Sequence, residues 1–148
     1  MIEVVPSTLA HARELARSIR PADQKEAEAL GMAPHRALFY AFRHSVLRRT
    51  ALVDGSVAAM WGVGGTPLGI LGMPYLITGT VCDKVHPVIF AKIYIKELKG
   101  MKSLFPVLEN YVHSDYTGAV SMLRIAGFEL SDPIDINGAS FRKFSMVS

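Results

Sequence analysis

The 148-residue chain holds one cysteine, Cys82, one tryptophan, Trp61, and five scattered histidines. One cysteine excludes an internal disulfide and any multi-cysteine metal cluster, and nothing in its usage points to an oxidising compartment, so the cytoplasm is the expectation. The histidines, His11, His35, His44, His86 and His113, show no ligand spacing beside carboxylates, so no metal site is expected. Long apolar runs are missing too. Gly, Pro or charge breaks each one before it reaches the length of a membrane span, and no basic segment followed by an apolar one opens the chain. The hydrolase signatures GxSxG and HExxH are absent, as is a cysteine nucleophile with a nearby partner.

Half of the residues are hydrophobic and a fifth are charged, enough apolar content to build a core without staples, and the length predicts a single domain over residues 1–148. The net charge of +3 is local in origin. Arg13, Arg17, Arg20, Lys25, Arg36, Arg43, Arg48 and Arg49 fall in the first fifty residues, a distribution that solvated helix faces commonly produce.

Ile2 to Val5 reads as a strand, and Ser7 or Thr8 as the cap of a helix running to about Ile19. Pro21 opens a second helix that Gly31 stops, with Lys25, Glu26 and Glu28 directed outward. "APHRALFYAFRHS" places Leu38, Phe39 and Phe42 on one helical face. Thr50–Val53 and Val57–Val63 flank Asp54-Gly55, the signature of a tight hairpin. A glycine-rich corner, "WGVGGTPLGILG", precedes a strand from Tyr75 to Thr80; because it does not open a helix, it reads as a bulged strand corner rather than a phosphate loop, and Trp61 beside it reads as a packed aromatic. "CDKVHPVIFAKIYIKELKG" is the longest helix, capped by Asp83 or His86 and stopped at Gly100. A strand from Val107 to His113, a helix from Thr117 to Ala126, and strands at Phe128–Leu130 and Phe141–Met146 complete the chain. The order predicts a mixed α/β fold, a sheet with helices on its faces.

That order, and above all "GAVSMLRIAGFEL" with Ala119 and the pair Gly127-Phe128, resembles the GNAT acetyltransferases, whose central mixed sheet splays open between helices. "RPADQKEAEALG", "VDGSVAAMWGVG" and "LENYVHSDYTGAVSMLRIAGF" resemble more narrowly the small GNAT-like proteins of tailed phages, of the internal virion protein type. The resemblance implies partners among phage virion or assembly proteins and a place in the host cytoplasm or the virion. Acetyl-CoA is the cofactor if the chain is an enzyme, and otherwise none is expected.

The departures from the GNAT pattern bear on that choice. Where the enzymes carry a glycine-rich loop for the pyrophosphate, this chain has "TVCDKVHPV", with a negative charge at Asp83 and no N–H at Pro87. Tyr116 stands in place of the common asparagine, and Leu123 in place of the proton-donating tyrosine. Glu109, Tyr111 and His113 alternate on one strand face near the splay. In an enzyme Glu109 or His113 is the candidate base and Tyr111 or Tyr116 the candidate acid; otherwise the face is an ordinary polar or interface surface. Lys92 and Lys96, with Lys99 on the same helical face, are the candidates for CoA phosphates, against the alternative of a solvated face. Weak or absent acetyl transfer with a virion or assembly role is the first expectation, and an active amine acyltransferase the second. A nucleic-acid-binding module is the third: the basic N-terminal half permits it, but no recognition motif supports it, so nucleic acid is the least expected partner.

Overall fold

The structure, a computed structural model, describes residues 1–65 and 69–148. Strand β1 (Ile2–Pro6) leads into α1 (Leu9–Ala16), α2 (Pro21–Ala29) and α3 (Pro34–His44), then β2 (Ser45–Val53), β3 (Ser56–Gly64) and β4 (Leu71–Thr78). A 3-10 turn at Thr80–Lys84 precedes α4 (Pro87–Leu104), followed by β5 (Val107–His113), α5 (Thr117–Ile125), β6 (Glu129–Leu130), β7 (Ile134–Ile136) and β8 (Ala139–Val147). The strands form one mixed sheet in the order β1-β2-β3-β4-β5-β8-β6, with β7 paired to β8. All ladders are antiparallel except β4 with β5.

Local chemistry accounts for most boundaries. Thr8 caps α1 by accepting from the His11 N–H at 3.2 Å, while His11 Nδ1 accepts from the Thr8 N–H at 3.1 Å. Pro21, Pro34 and Pro87 each stand in a helix's first turn, where a missing N–H costs nothing. The Asp54-Gly55 turn has both residues at positive φ, 49° and 84°, as a two-residue hairpin with the strand twist requires.

Two layers of apolar side chains cover the sheet. On one face Trp61, Val63, Leu108, Val112 and Phe144 pack with Phe90, Tyr94 and Leu98 of α4 and Val120 and Leu123 of α5. On the other, Ala12 and Leu15 of α1 and Leu38 of α3 meet Val57 and Met60, with Phe39 and Phe42 half-buried beside them. Trp61 is fully buried, with Phe90 and Tyr94 edge-on at 6.0 and 5.8 Å.

Some expected boundaries move. The first helix ends at Ala16 instead of near Ile19, because Ile19 bridges to Gly79 in an antiparallel contact. Gly100 lies inside α4: the buried stripe Leu98, Met101 and then Phe105 continues past it, and packing outweighs the propensity cost of one glycine. Strand β2 begins five residues before Thr50, and β4 begins at Leu71 and ends at Thr78, where Thr80 turns away into the 3-10 segment. Strand β7 was not expected at all. In the glycine-rich corner, Gly62 and Gly64 belong to β3, while the Thr66-Pro67 part of the predicted corner lies outside the described residues.

Candidate functional site

Strands β4 and β5 run parallel but pair only at Leu71 with Val107 and Gly72 with Leu108. Beyond that point they diverge, and the gap opens into a cavity of about 200 Å³. Its walls come from both faces of the sheet: Asp23, Glu26, Ala27, Leu30 and Ala37 on the α2 and α3 side, Tyr94, Ala119, Met122 and Leu123 on the α4 and α5 side. The splay therefore forms a cavity lined from both faces of the sheet, mostly apolar, with two carboxyl groups in its wall.

The gap-facing edge of β4 follows from its ladder with β3. Pro74 pairs with Val63 and has no N–H, so this pair cannot exchange ladder bonds, and Pro74, Leu76 and Thr78 point their peptide groups away from β3. Three of these groups are already held. The Pro74 carbonyl accepts from Asn110 Nδ2 at 2.8 Å, the Thr78 N–H donates to Asp23 Oδ2 at 3.1 Å, and the Thr78 carbonyl accepts from the Arg20 N–H at 2.9 Å. The Leu76 peptide has no such partner among the described residues.

Asp23 and Glu26 sit one helical turn apart on α2 and face inward. Asp23 is buried and accepts from the Thr78 hydroxyl as well as its N–H, with the Tyr116 hydroxyl at 3.5 Å. Burial pushes its carboxyl up to about 6, against the pull of the Thr78 bonds and the Arg20 charge. Glu26 accepts from the His113 N–H at 3.1 Å and is pushed up to about 7, by burial first and then by the neighbouring Asp23 charge. Tyr116 is raised to about 12, again by burial and then by Asp23. Arg20 is bound to Asp83 at 3.1 Å and reaches the Thr78 hydroxyl at 3.4 Å. A carboxyl group near 7 can take up or release a proton at neutral pH.

Glu26 thus corrects the expectation that it points outward; Lys25 and Glu28 do. Of the residues singled out in the sequence, Tyr111 and Tyr116 line the cavity. Glu109 turns to Lys143 of β8 at 3.5 Å. His113 contributes its backbone to Glu26, while its Nδ1 accepts from the Asp115 N–H at 3.1 Å and its ring lies edge-on to Phe141 at 5.2 Å. Lys92 and Lys96 are exposed on α4 and are not part of the cavity wall.

The segment from Thr80 into α4 tests the fit of a CoA pyrophosphate. The Thr80 N–H goes to the Ser18 carbonyl at 2.8 Å, Cys82 to Gly79 at 3.0 Å and Val85 to Cys82 at 3.0 Å. The imidazole of His86 accepts from the Val88 N–H at 3.2 Å, so it caps the helix end that would otherwise face an anion. With Asp83 alongside, this segment does not fit a diphosphate in the manner of a glycine-rich loop. Among the described residues no group of His, Cys, Asp or Glu is arranged to hold a metal, and no helix is long and apolar enough to cross a membrane.

Comparison with solved structures decides the architecture. A GNAT-family acetyltransferase from Streptococcus pneumoniae superposes over 100% of both chains with a TM-score of 0.66 at 10% identity. The chain has the GNAT acetyltransferase fold. A Pyrococcus horikoshii protein matches this GNAT-fold chain with a TM-score of 0.74 at 12% identity, covering 100% of it and 99% of the other. A ribosomal L7/L12 α-N-protein acetyltransferase in complex with coenzyme A matches with a TM-score of 0.67 at 9% identity, over 99% and 93% of the two chains. No protein-family model matches the sequence, and no curated protein does.

Asp23, Glu26, Asn110 and Thr78 escaped the sequence reading. A signal was present: Asp23, Glu26, Ala27 and Leu30 have the i, i+3, i+4, i+7 spacing of an inward helical face, on which two acids are unusual.

Proposed function

We propose that this GNAT-fold chain carries degenerate acetyl-transfer machinery and serves as a phage virion or assembly component. One observation carries the first half: in the segment that would hold an anion, the N–H groups of Thr80, Cys82, Val85 and Val88 are bound within the chain, and Pro87 has none to offer. The β4 edge supports it, since the Pro74 carbonyl and the Thr78 N–H and carbonyl, which an extended ligand in the gap would meet, are already bonded within the chain. The phage role is supported by the narrower resemblance of residues 20–31, 53–64 and 108–128. Titration calorimetry with acetyl-CoA, joined to an acetyl-transfer assay over mixed amines, tests the reading. Neither micromolar binding nor turnover is expected, and saturable binding with a dissociation constant in the micromolar range or better overturns it.

A second reading, acylation of an amine, is favoured by Glu26. Its carboxylate would accept the proton of an incoming amine as the nitrogen attacks the thioester carbonyl, and Tyr116 or Tyr111, which line the same cavity, would protonate the thiolate released when the C–S bond breaks. Turnover that collapses in Glu26→Gln but survives Glu109→Gln and His113→Gln would establish this reading with Glu26 as base; collapse in either of the latter would move that role to the residue changed. Tyr111→Phe and Tyr116→Phe separate the two candidate acids in the same assay. Lys92→Glu and Lys96→Glu would weaken any acetyl-CoA binding, more strongly at low salt.

A further inference from the structure

Helix α3 presents a face that the cavity does not use. Arg36, Tyr40, Arg43 and His44 recur at i, i+4, i+7 and i+8, and all four are exposed. Tyr40 keeps 59% of its surface in solvent, a large value for an aromatic side chain on a helix whose opposite face, at Leu38, is fully buried. Its ring lies 4.2 Å from that of His44, centroid to centroid. Arg48 closes the end of this stripe: it donates to the Phe42 carbonyl at 2.8 Å and its guanidinium sits 4.5 Å over the Phe42 ring.

No acid interrupts the helix, whose sequence is PHRALFYAFRH. Nearby carboxylates are engaged elsewhere: Asp23 and Glu26 face the cavity, and Glu14 of α1 accepts from the Val57 N–H at 2.6 Å. Glu28 of α2 is exposed. Among the described residues no ion pair involves Arg36, Arg43 or Arg48, and α1, which packs on α3, adds the exposed Arg13 and Arg17.

We propose that this face of α3 binds single-stranded nucleic acid, with Arg36, Arg43 and Arg48 on phosphates and Tyr40 stacked on a base. Cations alone would suit any polyanion. The exposed ring set among them is what favours a strand with unpaired bases, because stacking needs a free base face and a duplex or an acidic peptide offers none. The stripe from Arg36 to His44 is about 12 Å long at the helical rise, a length suited to a few successive nucleotides rather than to a groove-spanning contact.

The test is fluorescence anisotropy with a labelled twenty-nucleotide oligothymidylate at about 50 mM salt, run against polyglutamate and a blunt duplex of the same length. Three phosphate contacts predict a slope of log affinity on log salt of about −2. Tyr40→Ala should weaken oligothymidylate binding about tenfold, and Arg36→Glu with Arg43→Glu should abolish it. All three substitutions are at exposed positions, and unchanged melting would confirm that folding is intact. No binding by the parent, equal binding of polyglutamate, tighter binding of the duplex, or an affinity indifferent to Tyr40→Ala would each overturn the proposal.

Discussion

The side-chain amide of Asn110 reaches across the splay to the carbonyl of Pro74, 36 residues earlier, at 2.8 Å. It takes the place of a ladder bond at the point where β4 and β5 have stopped pairing. Its Oδ1 accepts from the Tyr111 N–H at 2.9 Å, which fixes the orientation of the amide. Asn110→Ala should cost about 1–2 kcal/mol, measured as a lowered urea midpoint, since a half-buried carbonyl loses its donor.

The same edge makes a sharper prediction for hydrogen exchange. Tyr75 and Ile77 direct their N–H groups at β3, and Thr78 gives its own to Asp23. Leu76 should therefore exchange much faster than Tyr75, Ile77 and Thr78 in native-state measurements. Equal protection of all four would mean that the gap is closed in solution.

Acidification should stabilise the cavity. Asp23 and Glu26 titrate near 6 and 7 in the fold, against 3.8 and 4.5 when unperturbed. The folded state thus holds more protons than the unfolded chain between about pH 4 and 7, and stability falls as pH rises through that window, by about 3 kcal/mol per group. The penalty is fully present above the folded values and absent below the unfolded ones. The groups facing Glu26 and Asp23 are Arg20 ahead of α2, Thr78 of β4, Tyr111 and the His113 backbone of β5, and Tyr116 ahead of α5. Glu26→Gln removes one titration, so the stability of the parent relative to this variant should rise from pH 7.5 to pH 5 in thermal melts. A difference independent of pH would show that Glu26 titrates normally.

Most of the fold was legible because its signals are local. Periodic apolar runs, prolines in first turns and the Asp54-Gly55 hairpin each act within a few residues. Strand β7 was missed although Asn137-Gly138, at φ 52° and 81°, repeats the same turn chemistry; its three residues are too few to show alternation. The site was far less legible. Asp23 is held by Thr78, 55 residues away, and Glu26 by His113, 87 residues away. A carboxylate on a short helix reads as solvated until the sheet brings N–H groups to it. The position of Tyr111 and Tyr116 at the splay was legible because strand alternation and proximity to the splay are properties of the chain order, whereas the ion pair that draws Glu109 to Lys143 depends on β8 lying beside β5.

His86 offers a separable test of the α4 start. Its imidazole caps this helix through the Val88 N–H. His86→Ala should lower stability by about 1 kcal/mol, while His86→Asn, which supplies another acceptor, should recover most of it in the same denaturation series.

The corner between α5 and β6 is the last and most stringent test, because two mechanisms there predict different mutational patterns. Gly127 has φ +100°, its N–H bonds to the Arg124 carbonyl at 3.0 Å, and the Phe128 N–H bonds to the Leu123 carbonyl at 3.0 Å, the paired bonds of a Schellman ending. A Cβ added at Gly127 would meet nothing closer than Met146 Cε at 3.7 Å, so the cost of substitution lies in the backbone and not in a clash. Gly127→Asn, which tolerates positive φ, should therefore be milder than Gly127→Val, for which about 1–3 kcal/mol of strain is expected. Phe128 is a packing residue: 5% exposed, with Phe144 edge-on at 5.1 Å. Phe128→Ala should cost about 3–5 kcal/mol, and Phe128→Leu distinctly less because most of the volume is kept. If Asn and Val at 127 were equally costly, or Ala at 128 left the melting midpoint unchanged, the corner would not be held by these two mechanisms.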